Sequence, residues 1–270
     1  MDYQLGQPPG LEELEDALHR QPPRLDLVAI AVARLGHREL APASLLERLD
    51  ALAARVTAHR HLGELAALTK VLVDEEGFEG DRQDYHNPRN SFLDVVLERR
   101  RGLPILLSTV YLEVGRRAGI TVEGLALPGH FVARVGATIF DPFNRAKVLD
   151  EAACEAIVER FQPGAGLSPE LLRPPTVRAI AWRMLNNLKT TWLSTGAHED
   201  ALRAVDLMLA VEPGHVGELR VRAGLLTELG AYRAALADLE RCLAATPPPR
   251  DEERLQKAAE ELRERIGMLH

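Results

Sequence analysis

In PGHFVARVGATIFDPFN, residues 128–144, His130 and Asp141 stand on either side of a Gly-Ala pair. If Gly136 is the first central residue of a two-residue type II′ turn, Val135 faces Thr138, Ala133 faces Phe140 and Val132 faces Asp141. Side chains alternate along a strand, so His130 shares the face of Val132 and is a diagonal neighbour of Asp141. Diagonal Cα separations of about 7–8 Å leave an imidazole and a carboxylate within hydrogen-bonding reach. Such a pair can orient a histidine as a general base. It can equally hold a histidine in place for structural reasons, and the pattern serves both readings.

Other residues of chemical interest are more isolated. Asp84, Tyr85, His86 and Asn87 fall together in the turn-rich stretch FEGDRQDYHNPRNSFL. Consecutive residues rarely aim at one ion, so a structured loop is expected there and no metal site. Cys154 and Cys242 lie in helical sequence in different halves of the chain, which predicts neither a disulfide nor a metal centre. No cofactor is implied.

The elements that must position these residues are mostly helical. GLEELEDALHR, LDLVAIAVARLGH, SLLERLDALAARV and HLGELAALTKVLVDEEG carry apolar residues three and four apart, with Ser44 expected to cap the third. NSFLDVVLERR predicts a further helix capped at Asn90 and ending near Gly102. Pro104 then opens the next one, because proline suits the first helical position, where its missing N–H is not needed. That helix stops at Gly119, ITVEGLAL begins extended structure, and Pro142 ends the strand pair. A last single helix, DEAACEAIVERF, precedes a loop and then a repeat.

The repeat has a period of 34 residues: Gly196 matches Gly230, Ala201 matches Ala235, Leu202 matches Leu236 and Pro213 matches Pro247. Small residues where helices cross and a proline after the second helix are the tetratricopeptide signature. Two repeats and a final helix come near the ~3 units needed for independent stability, so the array is expected to lean on the core domain. Its first helix carries WRMLNNLKTTWL. Asn186 and Asn187, with Lys189 and Arg220, are candidate contacts for a peptide on the concave face. Alternatively, Trp182 and Trp192 pack against the preceding domain and Asn187 caps or bridges the two.

Composition narrows the partners. A chain of 270 residues, 46% hydrophobic, can bury a full core. The formal net charge of -7 offers no general attraction to nucleic acid or to an anionic membrane, leaving Arg99, Arg100 and Arg101 as a possible local patch. The opening MDYQLGQPPG has no export-signal character and no stretch approaches the ~20 apolar residues of a spanning helix, so a cytoplasmic protein is expected.

Residues 75–150 resemble the transglutaminase-like core of the SirB1 family. The marks are GFEGD, NSFL before a helix, GLPILLS, PGHF and DPFN. Enzymes with related transglutaminase-like or papain-like folds carry a cysteine at the start of the buried helix, a histidine on the next strand and an aspartate on the one after. The resemblance therefore implies His130 as the catalytic histidine and Asp141 as its orienting partner. Counting back from the Gly119-Ile120 pair, the nucleophile position falls on Pro104. Proline has no nucleophilic side chain and no N–H for an oxyanion. Ser108, about 6 Å along the same helix, could substitute only in a rebuilt pocket.

These readings combine into an α+β protein. Residues 1–165 form a helical N-terminal layer and a degenerate transglutaminase/papain-like core, and residues 170–270 a tetratricopeptide-like domain. A noncatalytic interaction or scaffolding module with a protein or peptide partner is expected. The alternative is a hydrolase-like enzyme of altered chemistry using the His130–Asp141 dyad.

Overall fold

The computed structural model describes residues 6–246 and 248–268; Pro247, the last match of the repeat, lies outside them. The fold is α+β, with most of the chain helical. The N-terminal layer comprises α1 (Leu11–His19), α2 (Leu25–Ala33), α3 (Pro42–Ala58) and α4 (Glu64–Thr69), the last running on into a π-helical turn over Lys70–Glu75. Helix α2, LDLVAIAVA, is apolar all round and almost wholly buried, as a helix covered on every side must be. It packs against α1, α3 and, further along the chain, the central core helix and the first repeat helix. The layer is thus a central part of the molecule rather than an outer cover.

The core follows in chain order: β1 (Glu79–Gly80), a 3₁₀ turn over Pro88–Ser91, α5 (Leu93–Arg99), β2 (Arg101–Gly102) and α6 (Pro104–Arg117). Next come β3 (Val122–Leu125), β4 (Val132–Val135), β5 (Thr138–Asp141), β6 (Lys147–Leu149) and α7 (Glu151–Phe161). Strands β3 to β6 form an antiparallel sheet in sequence order, and β1 and β2 pair in parallel. The β4–β5 register sets Val135 against Thr138 and Ala133 against Phe140, as the turn argument requires. Gly136 takes φ +56 while Ala137 does not enter the left-handed region, which fits a type II′ turn. Strand alternation splits the apolar residues between two clusters. Ala133 and Phe140 belong to the main core, whereas Leu125, Val132 and Ile139 meet Cys154 and Val158 of α7.

Three local expectations are corrected. Helix α3 begins at Pro42 behind Ala41, and Ser44 only donates back to the Ala41 carbonyl at 3.1 Å, because proline has already set the first turn. Asn90 caps nothing: it is buried, donating to the Asp84 carbonyl at 2.7 Å, and Asn87 caps the 3₁₀ turn by accepting from the Arg89 N–H. The arginine run is not a free basic patch. Arg99 pairs with Asp81, Arg100 with Glu76 and Arg101 with Glu79.

The C-terminal array is α8 (Val177–Thr195), α9 (His198–Val211), α10 (Val216–Glu228), α11 (Tyr232–Ala244) and α12 (Pro249–Met268). Gly196 and Gly230 both lie in the left-handed region after α8 and α10, the conformation that closes a helix and that glycine adopts without strain. Ala201 and Ala235, one repeat apart, are fully buried. The apolar core runs without interruption from Leu14 of α1 through α6 to Leu262 of α12.

Candidate functional site

His130 sits in the turn just before β4, and Asp141 ends β5. The His130 Nε2 lies 2.9 Å from the Asp141 carboxylate. Asp141 is 1% exposed and is held from its other side as well, accepting from the Phe143 N–H at 2.9 Å and from Asn144. It therefore caps the 3₁₀ turn Pro142–Asn144 while it holds the imidazole. His130 keeps 14% exposure, and its ring meets Phe143 edge-on at 5.9 Å. Gly80 makes room for that aromatic ring: a Cβ there would stand 2.4 Å from Phe143.

Both residues line a cleft of about 1200 Å³ bounded by the 79–86 segment, β6 and one face of α7. Tyr85 and Phe161 are exposed at its edge, and Phe161 lies against Gly129, where any Cβ would meet its ring at 2.2 Å. Among the described residues, no serine, threonine or cysteine lines this cleft. Pro104 is the first residue of α6, as expected, but it is buried and takes no part in the lining. Ser108 does not line the cleft either. Fully buried one turn deeper in α6, its Oγ is turned toward the Phe131 carbonyl at 3.4 Å.

The thiols are also turned away from nucleophilic chemistry. Cys154 is buried in the α7 cluster, and that burial, reinforced by Asp150, Asp141 and Glu151, pushes its thiol above the usual range. Burial and Asp238 push Cys242 the same way, against a smaller opposing pull from Arg220 and Arg241.

The repeat-domain candidates do not converge. Lys189 is 9% exposed and bonded to Glu218 of α10 at 2.6 Å, so it is a buried partner and not an open contact. Arg220 faces Asp251 of α12 at 3.6 Å and lines a separate hollow of about 290 Å³ that includes none of Asn186, Asn187 and Lys189. Asn186 and Asn187 are half-buried on α8. Of the two tryptophans, Trp192 packs against Phe92 of the core at 6.3 Å, and Trp182 against His215 at the start of α10 at 4.6 Å.

Sequence reasoning passed over Arg183. This α8 residue donates to the carbonyls of Leu127 at 2.9 Å and His130 at 2.8 Å, and its guanidinium lies over the Phe131 ring at 5.6 Å. Burial lowers its pKa from the ordinary arginine value, with a small opposing effect from Tyr85. The signal was a basic residue in an otherwise apolar-faced helix, whose target 53 residues away only the fold reveals.

Residues 43–186 match the family model of the transglutaminase-like superfamily, and 188–266 match a tetratricopeptide repeat. The chain belongs to the transglutaminase-like superfamily, in the SirB1-like family. Among its relatives, a UPF0162 protein of Xylella fastidiosa is 35% identical over 195 residues, 68% of each chain. A UPF0162 protein of Pseudomonas aeruginosa is 28% identical over 253 residues, covering 92% of this chain and 94% of that one. The mouse F-box only protein 21 is 33% identical over 183 residues, 62% of this chain and 28% of that protein. No solved structure matches. Among the described residues, no helix of this SirB1-like protein is long and apolar enough to cross a membrane.

Proposed function

We propose that this SirB1-like protein is a noncatalytic interaction module whose transglutaminase-like cleft holds a peptide without cutting it, while its repeats take part in protein contacts. The observation that carries this reading is the cleft, whose lining holds no serine, threonine or cysteine among the described residues. An imidazole held by a carboxylate opens onto it, yet the buried Pro104 occupies the helix start from which a thiol would attack. Both cysteines are buried with their thiols raised, the opposite of an activated nucleophile. A second reading draws on the same pair. His130, partly open to the cleft and oriented by Asp141, has the arrangement of a general base toward water.

One experiment separates the two. A photo-crosslinking residue in place of Gln83, exposed at the edge of the cleft, captures bound peptides for mass spectrometry. Intact peptides are expected, with equal capture by His130→Ala at equal folded fraction. Peptides recovered cleaved or modified, with that conversion lost in His130→Ala, would replace the noncatalytic reading with the hydrolytic one.

A further inference from the structure

We infer that the cleft beside His130 recognises an extended, carboxylate-rich peptide. The inference rests on the peptide-binding reading of that cleft and adds the chemical class of its ligand. The charge of the lining is inverted relative to the chain. In a protein of formal net charge -7, the cleft gathers Arg82, Arg101, Arg145, Lys147 and Arg160 against two carboxylates, Glu79 and Asp141. Those two carboxylates are already occupied: Glu79 lies 2.6 Å from Arg101 and 3.5 Å from Arg145, and Asp141 is held by His130 and Asn144. Among the described residues Arg82 bonds only a neutral group, the Asn144 side-chain oxygen, and lies 5.7 Å from the centre of the Phe143 ring, while Arg160 lies 5.4 Å from that of Phe161. Cations seated on aromatic faces keep their charge available to a ligand. A recessed site of one dominant sign concentrates ligands of the opposite sign.

The shape of the site favours a peptide over a compact anion. The cations are contributed by five segments around the cleft, the 79–86 stretch, β2, the loop before β6, β6 itself and α7, rather than by one anion-binding loop. Strand β6 is the edge of the four-stranded sheet, and Lys147 and Leu149 line the cleft from it. Among the described residues, the backbone of 147–149 bonds to no segment other than β5, which leaves a sheet edge to which an extended chain can add. Exposed Tyr85 and Phe161 supply the aromatic contact surface that peptide sites commonly carry.

The test uses the full chain and fluorescence anisotropy of a labelled glutamate-rich decapeptide. Its glutamine counterpart and tripolyphosphate serve as competitors. Lys147 and Arg160 are both exposed, so Lys147→Glu with Arg160→Glu should leave the thermal midpoint unchanged. The expected result is binding that weakens about tenfold or more in the double variant, and steeply between about 50 and about 200 mM salt. Both competitors should be at least about tenfold poorer. Binding of the glutamate peptide that is indifferent to the double variant overturns the inference, as does equal or better competition by tripolyphosphate. Equal competition by the glutamine peptide also overturns the acidic preference but leaves the peptide-binding cleft standing. If neither peptide binds, both the inference and that reading fall.

Discussion

At the scale of single residues, Asp141 has two tasks that predict different costs. It accepts from His130 and also caps the turn at Phe143 and Asn144. His130→Ala removes one of these partners, whereas Asp141→Ala strands the buried Phe143 N–H as well as the imidazole. Urea midpoints should show about 1 kcal/mol lost for His130→Ala and about 2–3 kcal/mol for Asp141→Ala. Equal losses would mean that the cap contributes nothing. The thiols allow a second check. Because burial and neighbouring carboxylates push Cys154 up, and burial and Asp238 push Cys242 up, neither should react with a disulfide reagent in the native protein near about pH 8, while both react once it is denatured. A thiol that titrates in the native protein below the ordinary ~8.5 would contradict the arrangement. His130 and Asp141 were legible in the sequence because a two-residue turn fixes strand register, and register fixes which side chains share a face.

At the scale of elements, α2, α3 and α6 are joined by an ionic cluster centred on the buried Asp26. Asp26 of α2 is fully buried and accepts from Arg24 at 2.6 Å and from Arg117 of α6 at 2.6 Å; Arg117 also reaches Asp50 of α3 at 2.8 Å. Burial pushes the Asp26 carboxyl upward, but the hydrogen bonds and charges of Arg24 and Arg117 outweigh it and hold it below the usual range. A carboxyl lowered in the folded state adds stability that is complete above its unfolded value near 3.8 and is lost as the pH falls through the lower folded value. Asp26→Ala should therefore cost about 3 kcal/mol at neutral pH and flatten the acid limb of stability against pH, measured by urea midpoints from neutral to acid conditions. An unchanged acid limb would assign that dependence to other carboxylates. The helices themselves were readable from apolar spacing. The caps at Ser44 and Asn90 were not, because Pro42 sets the first turn of α3 ahead of Ser44 and Asn90 turns instead to the Asp84 carbonyl.

At the scale of the whole molecule, the repeat array and the core are one packed unit. Helix α8 lies against α2 and α6, and its Arg183 ties the repeats to the loop that carries His130. Deleting residues 170–270 strips the apolar wall from α2 and from Phe92. The remaining fragment should show no cooperative urea transition by circular dichroism; a sharp one would show that the core stands alone. Arg183→Ala is the finer probe. It should speed hydrogen exchange in the 127–131 loop, where the His130 N–H bonds the Leu127 carbonyl, with far less effect on α10 and α11. Unchanged exchange in that loop would mean that the arginine does not hold it.

Local rules carried the sequence reading a long way. The proline at the start of α6 and the hairpin around Gly136 depend on interactions within a few residues, and the 34-residue period shows as recurring residue types, so the α+β class, the repeat and the side chains that share a face with His130 are legible without the rest of the fold. What lines the cleft depends on residues from Glu79 to Phe161 brought together across the chain. The same is true of which cations are neutralised. The run Arg99–Arg101 read as a patch and is paired to three separate acids, Arg101 alone of the three lining the cleft, whereas Arg82, Lys147 and Arg160 carried no signal and line it too. Charge acts through space over several ångströms regardless of chain separation, so the sign of a site is a property of the tertiary structure, while strand register and helix periodicity belong to the sequence.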